Sequence, residues 1–267
     1  MSLISIIEEV KTYMNSVDII NEIKKRLLIE CRIFDKSEVY GYTQTSLAFN
    51  YNSVEDNKLT RYQVISIFEN GILPIENNEN NKYMDVKDIE EITASFKMFK
   101  YLLNNIDRSL DINFIYEMYM NFIECFYDFF ENSQFSLSSK DKENLENILN
   151  DYSDKKLNFE DIVKFHVLFL KAQPFYDLTM RIGKMIMFKQ CLDSNIIPFI
   201  IRVENKDKYM HYLYKAKNTN SLDDLINFFK EEQENYLNDV LDLVVDYDIL
   251  RSIKNRDKFI NYLVYYY

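Results

Sequence analysis

Apolar residues recur every three to four positions along most of this chain, and that spacing predicts helices. Between Leu3 and Phe34, Ile6, Val10, Met14, Val17, Ile20, Ile23 and Leu27 trace one stripe among charged neighbours. The segment reads as one long or one broken amphipathic helix. Residues 36–58 lose the period and gather Tyr, Thr, Ser and Asn, which predicts loop with a short turn. The stripe returns over Leu59 to Asn70, where Gly71 supplies a stop, and residues 73–82 form a polar loop. Asp85 to Ile106 is a strong amphipathic helix through Ile89, Ile92, Phe96, Phe99 and Leu103. Asp111 to Phe130 carries aromatics on most faces, the pattern of a central, buried helix. After a break at 132–140 with some extended character, Asn144 to Tyr152 predicts a short helix. Asn158 then opens another, with Glu160 and Asp161 in its first turn. The expected fold class is all-α.

The stretch from Phe165 to Arg202 organises the rest. An apolar helix ends at Gln173-Pro174, because proline lacks an N–H and disfavours helical geometry in the residue before it. Asp177 is placed to cap the helix that follows, and Arg181 and Lys184 are three apart, so they share a face. Two cations and a carboxylate at a helix N-terminus are the ingredients of a phosphate and metal site. From periodicity alone, the plainer account is a capped core helix with solvated basic side chains.

Composition narrows the field. A chain of 267 residues holds one large domain or two small ones, and three Gly and three Pro leave little room for hairpins. A net charge of −11 argues against a general nucleic-acid binder. Cys31, Cys125 and Cys191 are widely spaced in apolar surroundings and read as reduced core cysteines without zinc spacing. The start MSLISIIEEVKTYM has acids after a short apolar run, unlike a signal peptide. No apolar run reaches the roughly 18 residues of a membrane span. The expectation is a cytoplasmic protein without membrane association, with non-Sec export left open. His166, inside FHVLFL, reads as a hydrogen-bonded core residue, and the aromatic and basic positions around His211 as one packed helix face.

The segment QPFYDLTMRIGK resembles the signature of the Fic (filamentation induced by cAMP) and Doc family, H-P-F-x-D-G-N-G-R-x-x-R. Pro174, Phe175, Asp177 and Arg181 match it. Gln173 stands at the catalytic His position, Leu178, Thr179 and Met180 replace Gly-Asn-Gly, and Lys184 replaces the second Arg. Upstream, NYNSVEDNKLT is similar to the family's inhibitory segment, with Glu55, Asn57, Leu59 and Thr60 in place and Tyr51 at the Ser/Thr position. The resemblance covers about residues 45–240 in layout, with motif support at 51–60 and 173–184. It implies a Fic-like helical bundle, with Gln134 to Leu137 as a vestigial β-hairpin flap. An N-terminal helical segment, 1–44, and a C-terminal helical extension, 241–267, flank that domain. The apolar end YLVYYY offers a surface to the domain or to a second copy, as in a homodimer.

Fic enzymes transfer AMP from ATP to a hydroxyl of a target protein. The resemblance therefore implies ATP and Mg²⁺ as cofactors and a protein as partner. Asp177 is left as the Mg²⁺ ligand, Thr179, Arg181 and Lys184 as the nucleotide-binding set, and Glu55 as the inhibitory residue opposite Lys184. Gln173 cannot serve as a general base near neutral pH, a loss of typically about 10² to 10⁴ in rate. Leu178 and Met180 add side chains where glycines would let backbone N–H groups approach phosphate. Three readings stay open on the sequence: a Fic-fold protein impaired in catalysis that acts by protein or nucleotide binding, an active variant adenylyl-, nucleotidyl- or phosphoryl transferase, and a helical interaction protein unrelated to Fic.

Overall fold

The computed structural model describes residues 16–74, 85–126, 139–152, 156–175 and 178–244. These residues form ten α-helices and no strand. They are α1 (Ser16–Ile33), α2 (Val39–Ser53), α3 (Arg61–Asn70), α4 (Val86–Asn104), α5 (Ile112–Ile123), α6 (Ser139–Asn150), α7 (Phe159–Ala172), α8 (Thr179–Asp193), α9 (Lys206–Thr219) and α10 (Asp223–Val244). The expected all-α architecture is observed. The proposed flap at Gln134 to Leu137, the chain before residue 16 and the apolar tail lie outside the described residues.

Local chemistry sets most helix ends. Thr60 and Gln63 form a reciprocal capping box at the start of α3, as Asn158 and Asp161 do for α7, so orphan N–H groups are met at each. Asp111 caps α5 through the Phe114 N–H at 2.7 Å. Gly71, at φ +67°, closes α3 in the left-handed conformation that a Cβ resists. The helix at 139–150 starts five residues ahead of the expected Asn144.

The largest departure from the sequence pattern is α2. Residues 36–58, expected as loop, contain a four-turn helix buried on nearly every side, from Val39 to Asn52. A helix surrounded by others needs no polar face, so it shows no apolar stripe. Three of its polar residues bond within the helix: Thr45 Oγ1 donates to the Gly41 carbonyl at 2.8 Å, Asn50 Nδ2 to Ser46 at 2.9 Å and Asn52 Nδ2 to Ala48 at 2.7 Å, while Thr43 meets the Tyr236 hydroxyl at 2.8 Å. The entry to α2 is tight, since a Cβ on Gly41 would sit 1.8 Å from the Lys36 carbonyl oxygen. Only glycine fits there. Lys36 in turn donates to the last carbonyls of α3, Phe68 at 2.7 Å and Glu69 at 2.9 Å.

One hydrophobic cluster runs from Ile19 in α1 to Val244 in α10, so helices α2 and α10 pass through residues 44/45 and 240/241 without a break in the core. At the centre, α8 lies against α7 and touches α2, α4 and α5. Every residue of α8 from Arg181 to Leu192 is buried. Cys31 and Cys191 are core thiols, whereas Cys125 is only half-buried at the end of α5.

His166 is fully enclosed between α7, α8 and α9. Its Nδ1 is 3.3 Å from the Gly183 carbonyl and its Nε2 is 2.9 Å from the Tyr209 hydroxyl. A neutral ring fits both contacts, with Nδ1–H donating and Nε2 accepting. Burial drives its pKa down to about 3 from an ordinary 6.5. Between those values the unfolded chain holds a proton that the native state lacks, so stability falls as the solution is acidified through that window. The slope is about 1.4 kcal/mol per pH unit for one such group. Urea unfolding between pH 7 and 4 should show a steeper loss for the wild type than for His166→Gln, and equal slopes would contradict the assignment.

Candidate functional site

The turn between α7 and α8 carries the residues that resemble the signature. Gln173 ends α7 in a left-handed conformation (φ 46°, ψ 51°), its N–H bonded to the Phe169 carbonyl at 3.2 Å and its side chain exposed. Pro174 and Phe175 are buried, and the Phe175 ring stacks on Tyr119 at 4.9 Å. The turn uses its own polar groups. The Phe175 N–H donates to Thr179 Oγ1 at 2.9 Å, and the Leu178 N–H to the Phe175 carbonyl at 2.8 Å. Thr179 is buried, and Leu178 and Met180 pack on the core. The cap position of α8 is held by Leu178, which has no side-chain acceptor. Asp177, the assigned Mg²⁺ ligand, lies outside the described residues.

Arg181 and Lys184 share a helix face, but neither is solvated. Arg181 is 6% exposed and Lys184 is 0% exposed, which overturns the plainer account of the pair. The guanidinium of Arg181 is engaged along three edges: Nε donates to Asn52 Oδ1 at 3.0 Å, Nη1 pairs with Glu55 Oε2 at 3.1 Å, and Nη2 pairs with Glu91 Oε1 at 3.2 Å. Its plane also lies over the Phe122 ring, 5.7 Å from the centroid. The ammonium of Lys184 sits 4.8 Å above the Tyr51 ring, 3.4 Å from the Tyr51 carbonyl and 3.5 Å from Glu55 Oε1. That last approach is an ion pair without hydrogen-bond geometry, since Glu55 Oε1 accepts no hydrogen bond. Burial pulls the Lys184 pKa down to about 8, with Glu55 opposing the shift. Two cations and two carboxylates thus form a charge-balanced cluster, buried except at Glu55, which is partly exposed.

The backbone presents these groups from three places. Glu55 stands in the turn that closes α2, where Asp56 adopts φ 71° and the Asn57 N–H returns to the Asn52 carbonyl at 3.1 Å. Lys206 fixes that turn from the start of α9 through Asp56 at 2.9 Å. Glu91 projects from α4, where Asn57 Nδ2 donates to its second oxygen at 3.0 Å and to the Asp88 carbonyl at 2.9 Å. Asn52 is held by Ser95 Oγ, which accepts from its Nδ2 at 2.8 Å. The structure therefore brings Glu55, Arg181 and Lys184 together, while Thr179 bonds to the Phe175 N–H in the α7–α8 turn. Glu91 and Asn52 complete the cluster without a motif of their own. The signal for Glu91 is its register: Asp88, Glu91 and Ser95 recur at three and four residues on the inward side of α4, where all three are buried. His166 belongs to the core, and His211 is exposed on α9, whose packed face is Tyr209, Leu213 and Ala216.

No protein-family model matches the chain, and no curated protein does. Solved structures do resemble it. A Fic domain-containing signaling protein from Bacteroides thetaiotaomicron superposes with a TM-score of 0.64 at 17% identity, covering 86% of this chain and 98% of that one. Fic-1 from C. elegans gives a TM-score of 0.60 at 16% identity over 90% of this chain and 73% of its own. A variant of the same Fic-1 aligns equally well, with a TM-score of 0.60. The chain has a Fic-like fold.

Proposed function

We propose that this protein keeps the Fic scaffold, has closed the nucleotide-transfer site with its own side chains, and acts by binding a protein partner. The observation that carries this reading is Arg181, whose guanidinium is already matched by Asn52, Glu55 and Glu91 in a buried cluster. A triphosphate would have to take the place of two carboxylates and find the cation still reachable. Lys184, at 0% exposure, is further from solvent still. The loop that would cradle phosphate carries Leu178 and Met180 packed on the core, and the Phe175 N–H is spent on Thr179. These residues do not fit an ATP–Mg²⁺ group, so no transfer step is assigned to it. Gln173 adds the absence of a proton acceptor.

The net charge of −11 weighs against nucleic acid as the partner. Among the described residues no helix is long and apolar enough to cross a membrane. A protein surface is the remaining class that the parent fold handles.

Incubation of the purified chain with α-labelled ATP, Mg²⁺ and a cell lysate should label nothing, and Gln173→His alone should not restore labelling, because the cluster around Arg181 stays in place. Labelling that disappears in Asp177→Ala would overturn the reading.

The cluster also has a stability signature. Removing one partner of a buried ion pair strands the other charge and costs about 3–5 kcal/mol. Arg181→Met, which leaves Glu55 and Glu91 facing one another's charge, should lose about that much in equilibrium urea unfolding. Glu55→Gln should also lose stability, since Arg181 keeps Glu91 and Asn52 but the buried Lys184 ammonium loses its carboxylate partner. An Arg181→Met variant within about 1 kcal/mol of wild type would mean that the cluster is not the closed unit described.

A further inference from the structure

The other end of α8 borders a cavity that the signature does not involve. It has a volume of about 240 Å³ and lies between the C-terminal turn of α8, α6 and the segments leading into α5 and α7. Leu149, Leu157 and Phe165 supply apolar walls. Two hydroxyls and an ammonium also line it, from Ser109, Ser194 and Lys156. Ser194 is 7% exposed, and its Oγ bonds to no described residue. Unlike the enclosed amide of Gln190, that oxygen is not sealed from the cavity. Ser109 and Lys156 are exposed at the rim, and neither side chain bonds to a described residue.

Charge decides what such a lining accepts. Among the described residues, Lys156 and Asp193 are the charged members of it. Asp193 is paired with Lys189 at 2.7 Å, and Lys24 also acts on it, against Asp107. Asp151 and Asp161 act on Tyr152 but do not themselves line the cavity, and Asp161 accepts from the Asn158 N–H at 3.2 Å. Lys156 is thus the lining charge that no described residue balances. Helices α6 and α8 end at the cavity whereas α5 and α7 begin beside it, so their dipoles offset. The side chains set the sign. An ammonium has only donors and each hydroxyl has one, so a carboxylate, which only accepts, suits all three unpaired groups. An apolar cavity of about 150 Å³ takes one benzene ring, and the larger space here holds a ring with a short arm. Ser194 lies thirteen residues beyond Arg181, a helical rise of roughly 20 Å, so this site and the signature cluster are separate.

We infer that the cavity at the C-terminal end of α8 binds a small monocarboxylic acid with an apolar body the size of a single ring, its carboxylate held by the Lys156 ammonium and the Ser109 and Ser194 hydroxyls. This inference does not depend on whether the protein transfers AMP.

Calorimetry and ligand-observed NMR on the full chain with phenylacetate, phenylacetamide and phenethylamine test it. Phenylacetate should bind saturably at millimolar concentration or below and raise the unfolding temperature. The amide should bind about threefold more weakly, the modest margin of an ion pair at an exposed lysine, and the amine more weakly still. Lys156→Met should remove the preference for acid over amide, and Lys156→Arg should keep it. Ser109→Trp, which adds bulk at the exposed rim rather than in the core, should exclude all three ligands. Failure of phenylacetate to bind the wild type overturns the inference, as does equal binding of acid and amide. A preference for the acid that Lys156→Met leaves intact overturns it too, as does binding that Ser109→Trp leaves unchanged. A preference for the amine would overturn it by giving the selectivity to Asp193.

Discussion

A buried guanidinium must be answered by acceptors on every edge, or it does not stay buried. Arg181 meets that requirement with an amide from α2, a carboxylate from the turn after α2, and a carboxylate from α4. The demand of one side chain therefore fixes the distance between three elements far apart in sequence. Just after Glu55 the chain takes a left-handed step at Asp56, which returns the Asn57 N–H to the Asn52 carbonyl. Lys184 extends the arrangement by one turn of helix, where the Tyr51 ring and carbonyl and Glu55 share its charge.

The same helix divides in two by chemistry. Its first half spends its polar groups inward on a charge cluster that balances to zero. Its last turn leaves a neutral amide unspent beside an open space. Within that first half Gly183 offers its carbonyl to His166, which stays neutral because burial forbids its charge. The start of α8, with Arg181 and Lys184 turned inward, is a packed core element.

Much of this was legible in the sequence, for reasons that differ by element. The helices α3, α4, α5 and α7 announce themselves by an apolar stripe and by Thr60, Asp85, Asp111 and Asn158 at their starts, because each keeps one face to solvent. Helix α2 gave no such sign. It is enclosed by α1, α3, α4, α8 and α10, so burial rather than amphipathicity holds it, and its Asn and Thr side chains bond to their own helix instead of forming a loop. The nearness of Glu55 to the α8 cations was suggested by a resemblance between short motifs, since nothing in local spacing links residues so far apart. Glu91, Asn52 and Gln190 were silent for a related reason: a polar residue inside an amphipathic or fully buried helix gains its meaning only from what the fold sets against it. The solvation expected for Arg181 and Lys184 failed on the same ground, because the carboxylates that permit their burial come from other helices.

The central claim is that the two cations of α8 are occupied by the protein's own carboxylates and are therefore closed to phosphate. Isothermal titration of the full chain with ATP and Mg²⁺ addresses it directly. The account predicts no saturable binding of the triphosphate up to millimolar concentration. Saturable micromolar binding that requires the triphosphate and is lost in Arg181→Lys would contradict it.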